Sequence, residues 1–215
     1  MHPLLETLLG AASGTFPPVD GRVEVVAPMA GDHHAVVEFT GHAVVLTDRD
    51  AGDLRAMGAN GFGGASQPDV LRWLAGPGGW IGSHDVVLVA RGTGGGRLPE
   101  SATHEAHPRV TRSRAHRRDV RVHADDVGVV TLGRGLVGRL EMSVELFDQT
   151  YPKSGQGRRL ITEGLALVEP ESVVFAQVAP GNAASLRAFL SCGFVPIGAE
   201  TLLTRSSIDS PAAVS

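Results

Sequence analysis

Residues 154–159 read Ser-Gly-Gln-Gly-Arg-Arg, and they lie between a predicted strand ending near Phe147 and a helix predicted at Arg158 to Val168. Glycines at such a junction let backbone N–H groups approach a ligand closely. The start of the helix adds unsatisfied donors and a partial positive charge. This arrangement suits a pyrophosphate, to which Arg158 and Arg159 would add positive charge. A Gly-x-Gly sequence before a helix also occurs in plain turns, so the motif alone leaves both interpretations open.

The chain after this motif continues in an order that favours an α/β fold. Residues 173–178 form a short apolar run typical of a buried strand. Asn182 suits the N-cap of a helix predicted at Asn182 to Cys192, and Gly193 suits the residue after its end. Phe194 to Leu203 then predicts a last strand or two.

Three successive strands are predicted before the motif, at Asp119 to His123, Gly128 to Gly133 and Gly138 to Phe147. The short turns between them favour antiparallel pairing. Polar and apolar residues alternate along the third strand, so they point to opposite faces. One face carries Glu141, Ser143 and Glu145, and the other carries Met142, Val144 and Leu146.

Residues 119–204, taken in this order, resemble the GCN5-related N-acetyltransferase (GNAT) family. In that family, a loop with the pattern Gln/Arg-x-x-Gly-x-Gly/Ala wraps the pyrophosphate of acetyl-CoA. The closing helix often reads Asn-x-x-Ala/Ser-x-x-x-Tyr-x-x-x-Gly-Phe. Four residues of this chain match the second pattern, namely Asn182, Ser185, Gly193 and Phe194.

Three positions depart from the family patterns. With Gly157 as the first motif glycine, Ser154 replaces Gln or Arg, and Arg159 replaces the second Gly or Ala. Phe189 stands at the tyrosine position. In the family, that tyrosine often protonates the departing thiolate of CoA, and phenylalanine cannot donate a proton.

The resemblance implies an α/β fold with a mixed, mainly antiparallel sheet flanked by helices on both faces. It implies transfer of an acetyl group from acetyl-CoA to an amine by direct attack in a ternary complex. It also implies a set of residues that bind acetyl-CoA: Leu146, Phe147, Gly155, Gln156, Gly157, Arg158, Arg159, Asn182, Ser185 and Phe189. Main chain around Glu145 to Phe147 would align the pantetheine and polarise the thioester carbonyl.

Glu141 and Glu145 are the candidate catalytic residues. An amine is mostly protonated near pH 7 and must lose a proton before it attacks a thioester. The family often places its base on the strand before the glycine loop, where these two glutamates lie. The alternatives are that the pair binds a cationic acceptor, or that it is the solvated face of an antiparallel sheet.

The first half of the chain resembles no family. It predicts a helix at Pro3 to Ala12, and further elements follow at Arg22 to Val26, Ala35 to Phe39, Ala43 to Thr47, Asp50 to Met57, Pro68 to Ala75 and Val86 to Ala90. The Gly-rich stretch Gly92 to His107 reads as a linker. We therefore expect an N-terminal α/β half over residues 1–105, a GNAT-like CoA-binding half over 106–205 and a frayed tail over 206–215. Two interpretations of the N-terminal half stay open: an enlarged acceptor-side region or a degenerate second lobe.

Composition and charge restrict the functional classes. The net charge of −4 gives no overall attraction to nucleic acid, although Arg109 to Arg121 holds six arginines. No apolar run approaches the ~20 residues that cross a bilayer, and residues 1–10 lack the basic region of a secretory signal. The single cysteine, Cys192, excludes an internal disulfide, so a cytoplasmic protein is expected.

The histidine pairs His33-His34 and His104/His107 lack the companions of a metal site, so no metal is expected. A small-molecule or peptide amine is the expected partner, and the oligomeric state stays open, a homodimer included. Two alternative functions remain. One is a non-catalytic GNAT-like module that binds acyl-CoA or another protein, and the other is nucleic-acid contact through the arginine run, which a solvated, ion-paired face also explains.

Overall fold

The computed structural model describes residues 1–148 and 155–205, which fall into two units. The first unit comprises Met1–Asp85 and the chain from Gly198, and the second comprises Val86–Ile197. This division differs from the predicted boundary at residue 105, because the last strand of the chain returns to pair with a strand of the first unit. The predicted tail at residues 206–215 lies outside the described residues, as does Ser154 of the glycine motif.

The first unit holds three α-helices and three complete strands among its described residues. In chain order they are α1 (Pro3–Ala12), β1 (Val23–Val26), β2 (His34–Phe39), β3 (His42–Leu46), α2 (Ala51–Ala56) and α3 (Pro68–Ala75). Two longer strands, β4 (Trp80–Arg91) and β9 (Val195–Thr204), have residues in both units. The strand order in this unit is β1-β3-β2-β9-β4, with β1 parallel to β3 and β2 antiparallel to both of its neighbours.

The second unit holds the elements that position the candidate site. In chain order they are α4 (Pro108–His116), β5 (Arg118–Ala124), β6 (Gly128–Arg134), β7 (Leu140–Leu146), α5 (Gln156–Ala166), β8 (Val173–Val178) and α6 (Ala183–Ser191). The strand order is β4-β8-β7-β6-β5. All neighbours in this unit are antiparallel except β7 and β8, which are parallel.

The predicted α/β fold class is confirmed, because the described strands form a large, mostly antiparallel sheet flanked by helices. The helices and strands predicted from the sequence are present, although β4 begins at Trp80 rather than at Val86. One helix, α4, was not predicted. His107 caps it by accepting a hydrogen bond from the Arg109 N–H, and Pro108 occupies its first turn, where a missing N–H costs nothing.

Helices cover both faces of the sheet in the second unit. On one face, α5 and α6 close an apolar core that includes Met142 of β7, and the Met142 sulfur contacts Gly164 of α5. On the other face, Val110 of α4 packs against strands β5 and β6, and Ser113 hydrogen-bonds Thr131 at 2.8 Å. The polar face of β7 therefore lies partly under α4, where Glu141 is buried while Glu145 stays partly exposed.

No helix in the described part of the chain is both long and apolar enough to cross a membrane.

Candidate functional site

The parallel strands β7 and β8 separate along their length. Their pairing consists of one registered pair, Glu141 with Phe175. Beyond it, β7 stays paired with β6 as far as Leu146, and β8 stays paired with β4 as far as Val178. The carboxyl ends of the two strands thus lie on the same side of the sheet without pairing to each other. Crevices beyond the carboxyl ends of parallel strands are the usual ligand sites of open α/β sheets.

This separation leaves backbone groups of β7 without a strand partner among the residues that the structure describes. The Phe147 N–H donates to the Val127 carbonyl at 3.0 Å, so Phe147 and, two residues earlier, Glu145 exchange their hydrogen bonds with β6. Backbone groups of Val144 and Leu146 therefore point to the opposite edge, toward the opening. Unpaired backbone groups at a strand edge are available to an extended ligand that carries amides.

Helix α5 begins beside the carboxyl end of β7. Leu160 Cδ1 lies 2.7 Å from the position that a Cβ on Gly128 would occupy, and Gly128 pairs with Leu146, the last residue of β7. Arg159 forms an ion pair at 2.6 Å with Asp125, in the turn between β5 and β6. These contacts fix the first turn of α5 at the opening between the two strands.

The two glycines of the motif lie at the start of α5. Gly155 is the N-cap of α5 with φ of 101°, a left-handed conformation that favours glycine, and it gives the helix no side-chain cap. A Cβ on Gly157 would meet no atom within 4 Å among the described residues. Packing within the described residues therefore does not require glycine at position 157. A ligand that approached the first-turn N–H groups of Gln156, Gly157 and Arg158 would require glycine there.

The two arginines of the motif, Arg158 and Arg159, differ in whether a carboxylate neutralises them. Arg159 is neutralised by Asp125, whose carboxylate also accepts from the Val127 and Gly128 N–H groups. Burial acts to raise the pKa of Asp125, but these hydrogen bonds and the Arg159 charge hold that pKa below its usual value. Arg158 forms no ion pair with any residue that the structure describes, so it is the one of the two that keeps its charge for a ligand.

Helix α6 follows β8 and contributes the second sequence motif. The Asn182 side chain caps α6 by accepting from the Ser185 N–H at 3.1 Å. At the other end of α6, the Cys192 thiol donates to the Arg158 carbonyl at 3.5 Å, so α6 lies beside the start of α5. Phe189 is buried and packs edge-on against Phe194 at 4.9 Å, which gives it a packing role in the core.

Glu141 is a buried, ion-paired carboxylate. Arg117 Nε donates to one oxygen and Arg139 Nε to the other, both at 2.7 Å, and only 5% of Glu141 is exposed. Burial acts to raise the pKa of Glu141, but the charges of Arg139 and Arg117 and their hydrogen bonds outweigh it and hold the pKa below its usual value. The sequence-based alternative of a solvated sheet face is therefore wrong for Glu141. A carboxylate held in this way is a weak base.

The low pKa of Glu141 gives the stability of the protein a defined pH dependence. Its contribution is complete above the unfolded value near 4.5 and is lost as the pH falls through the lower folded value. We expect the free energy of unfolding of the wild type to fall more steeply below pH 4.5 than that of Glu141→Gln. Urea titrations at several pH values measure both slopes, and parallel curves would contradict the assignment.

Glu145 lies four residues further along the same face, nearer the opening. It forms an ion pair with Arg109 of α4 at 2.8 Å, and the two side chains are 25% and 33% exposed. Solvent reaches this carboxylate, and a single partly exposed arginine holds it. Of the two glutamates predicted from the sequence, Glu145 is therefore the carboxylate that solvent and a small molecule can reach.

Two histidines complete this end of the sheet, and sequence reasoning weighed them only as metal ligands. His104 stacks on Phe147 with ring centroids 4.9 Å apart, and His107 approaches the same ring at 5.5 Å. Ser101 Oγ hydrogen-bonds His104 Nδ1 at 2.6 Å. Within residues 1–148 and 155–205, no group of His, Cys, Asp or Glu side chains has the arrangement of a metal site.

At least three of the six arginines at residues 109–121 form ion pairs. Besides the pairs of Arg109 with Glu145 and Arg117 with Glu141, Arg114 pairs with Glu105 at 2.6 Å. This supports the interpretation of the run as an ion-paired surface. Each of these three guanidinium groups already has a carboxylate partner, so the run offers less charge to phosphates than its sequence suggests.

No protein-family model matches the chain, and no curated protein matches it. The similar solved structures include that of a protein from Novosphingobium aromaticivorans DSM 12444 assigned as an acetyltransferase of the GNAT family. It is 18% identical with a TM-score of 0.40, and the match covers 61% of this chain and 69% of the other. With a TM-score below 0.5, this likeness establishes neither the family nor the activity of the chain.

Proposed function

We propose that the protein is an acyltransferase that moves an acetyl group from acetyl-CoA to an amine, and that acetyl-CoA binds where β7 and β8 separate. The observation that carries this proposal is the single registered pair between these parallel strands, Glu141 with Phe175. A gap in an otherwise continuous sheet costs backbone hydrogen bonds, which a ligand inserted at that point would restore.

The residues around the opening fit acetyl-CoA. The backbone edge at Val144 and Leu146 would hydrogen-bond the amides of the pantetheine arm, as a neighbouring strand would. The first-turn N–H groups of α5, with Arg158, would bind the pyrophosphate, which gains from the helix dipole. The absence of packing around Gly157 leaves room for that approach.

Glu145 is the proposed proton acceptor. When bound, acetyl-CoA supplies a thioester carbon at which the C–N bond to the amine forms while the C–S bond breaks. Glu145 would accept the proton that the attacking amine nitrogen loses, directly or through one water molecule. Phe189 cannot protonate the leaving thiolate, so solvent supplies that proton. Glu141, held between two arginines, would position β7 rather than take part in proton transfer.

One observation favours a second function, a module that binds acyl-CoA without turnover. Phe189 at the family's tyrosine position is a core side chain. Assay of free CoA thiol after incubation with acetyl-CoA and a panel of amines separates the two functions. Amine-dependent thiol release supports the enzyme, and binding of acetyl-CoA without release for any amine supports the module.

Substitution of Gly157 tests the proposed pyrophosphate site through two effects of opposite sign. Gly157→Glu places a negative charge in the first turn of α5, which should stabilise the fold by roughly 0.3–1 kcal/mol through the helix dipole. The same charge should weaken acetyl-CoA binding by at least about tenfold, because it faces the pyrophosphate. Calorimetric titration and thermal unfolding measure the two effects.

The neutral variant Gly157→Gln, of equal size, is the matched control and separates charge from bulk. If Gly157→Glu bound acetyl-CoA as tightly as Gly157→Gln, the pyrophosphate would not lie at the start of α5.

A further inference from the structure

A second candidate site lies in the first unit, away from any residue assigned above. It is a cleft of about 680 Å³ between the end of β3 and helix α3. Its lining includes Arg49, Arg72, Arg205, Asp69, Trp73 and Pro77. This volume lies within the range of small-molecule sites and exceeds that of an inorganic ion.

Two of the three arginines in the cleft have no carboxylate partner among the described residues. Arg49 lies with its guanidinium carbon 4.5 Å from the centre of the Trp73 ring, and its Nε is buried without a hydrogen-bond partner in the described part of the chain. Arg72 donates to the Gly79 carbonyl at 2.9 Å. The third, Arg205, forms an ion pair with Asp48 at 2.7 Å.

The charge of the cleft is therefore positive. Asp69, at the exposed start of α3, is the one carboxylate in its lining and offsets one of the two unpaired guanidinium charges at most. A buried donor without a partner costs free energy in the unliganded protein, so Arg49 Nε gains from an acceptor that enters the cleft. The stacked indole of Trp73 holds the Arg49 guanidinium in one orientation, which lowers the entropy lost on binding.

We infer that this cleft binds a small organic phosphate, with a phosphomonoester on the arginines and an apolar body on Trp73 and Pro77. Two planar guanidinium groups match the charge and the oxygen geometry of a phosphomonoester, which carries about −1.5 to −2 at neutral pH. The side-chain surfaces of Trp73 and Pro77 supply the apolar wall that inorganic phosphate would not use.

The chain offers a direct spectroscopic test. It contains two tryptophans, so Trp80→Phe leaves Trp73 as the sole indole emitter. In that background, titration with phenyl phosphate should give a saturable change in tryptophan fluorescence. Arg49→Gln and Arg72→Gln should each weaken the binding by about tenfold or more, since each removes charge-assisted hydrogen bonds to the phosphate. Arg72 is exposed, so Arg72→Gln should test the site without lowering the stability of the protein.

Arg55→Gln is the matched control, because Arg55 is an exposed arginine on α2 outside the cleft and should leave the affinity unchanged. Benzoate and inorganic phosphate test the ligand class. Binding of benzoate as tight as that of phenyl phosphate would overturn the assignment of a phosphate ligand. Binding of inorganic phosphate as tight as that of phenyl phosphate would overturn the proposed contact of an apolar ligand body with Trp73 and Pro77. No saturable change with phenyl phosphate, or equal affinity in Arg72→Gln, would overturn the site itself.

Discussion

Replacing Glu141 with glutamine is expected to lower the free energy of unfolding by about 3–5 kcal/mol, because it removes the carboxylate with which the buried Arg117 guanidinium pairs. Arg139 is fully buried at its side chain and Arg117 is 10% exposed, so water does not replace the lost carboxylate. Glutamine keeps the size of the side chain and one acceptor oxygen, so the loss reports charge rather than packing. Urea unfolding followed by far-ultraviolet circular dichroism measures it.

Glu105→Gln is the control for Glu141→Gln. Glu105 forms an equally short ion pair with Arg114, but the two side chains are 50% and 45% exposed. Exposed pairs of this kind contribute about 0–1 kcal/mol. A urea midpoint of Glu141→Gln equal to that of Glu105→Gln would contradict the buried ion pair.

The second large effect concerns activity and distinguishes the two glutamates. Glu145→Gln should lower kcat for acetyl transfer by about 10²–10⁴-fold, the usual contribution of a general base. Its stability should change little, since the ion pair with Arg109 is partly exposed. Rates of thiol release with saturating acetyl-CoA and a responsive amine measure the first effect, and urea unfolding measures the second.

Arg109→Gln separates proton transfer from ion pairing. It removes the partner of Glu145 but keeps the carboxylate, so it should retain most of the activity. Wild-type turnover in Glu145→Gln would remove this residue from the role of base. Loss of activity in Glu145→Gln together with a loss of stability as large as in Glu141→Gln would instead indicate a structural residue.

Local sequence patterns were sufficient for most of the fold. Helix α3, for example, is marked by Pro68 in its first turn and by Gly76 after its end, and its observed bounds equal the predicted ones. Helix α4 was not predicted because only two of its nine residues, Val110 and Ser113, are buried. Two buried positions are too few to give a recognisable helical period of apolar residues. The assignment of the chain from Gly198 to the first unit was not predicted either, because it depends on the long-range pairing of β9 with β2.

The candidate site was predicted only in part, because some of its contacts join residues that are distant in the chain. The alternation along β7 correctly placed Glu141 and Glu145 on one face, since a strand has a period of two. It did not show that Arg117 neutralises Glu141, because the two residues lie 24 positions apart and meet through the packing of α4. The contact of His104 with Phe147 likewise joins residues distant in the chain.

Calorimetric titration of the wild-type protein with acetyl-CoA tests most directly whether the opening between β7 and β8 is a cofactor site. The proposed site predicts saturable binding with one molecule per chain and micromolar affinity, about −8 kcal/mol. It also predicts that Gly157→Glu binds acetyl-CoA at least about tenfold more weakly than the wild type, and more weakly than Gly157→Gln does. Absence of binding by the folded wild type would contradict the acyl-CoA site. Gly155 and Gly157 would then belong to a plain turn before α5.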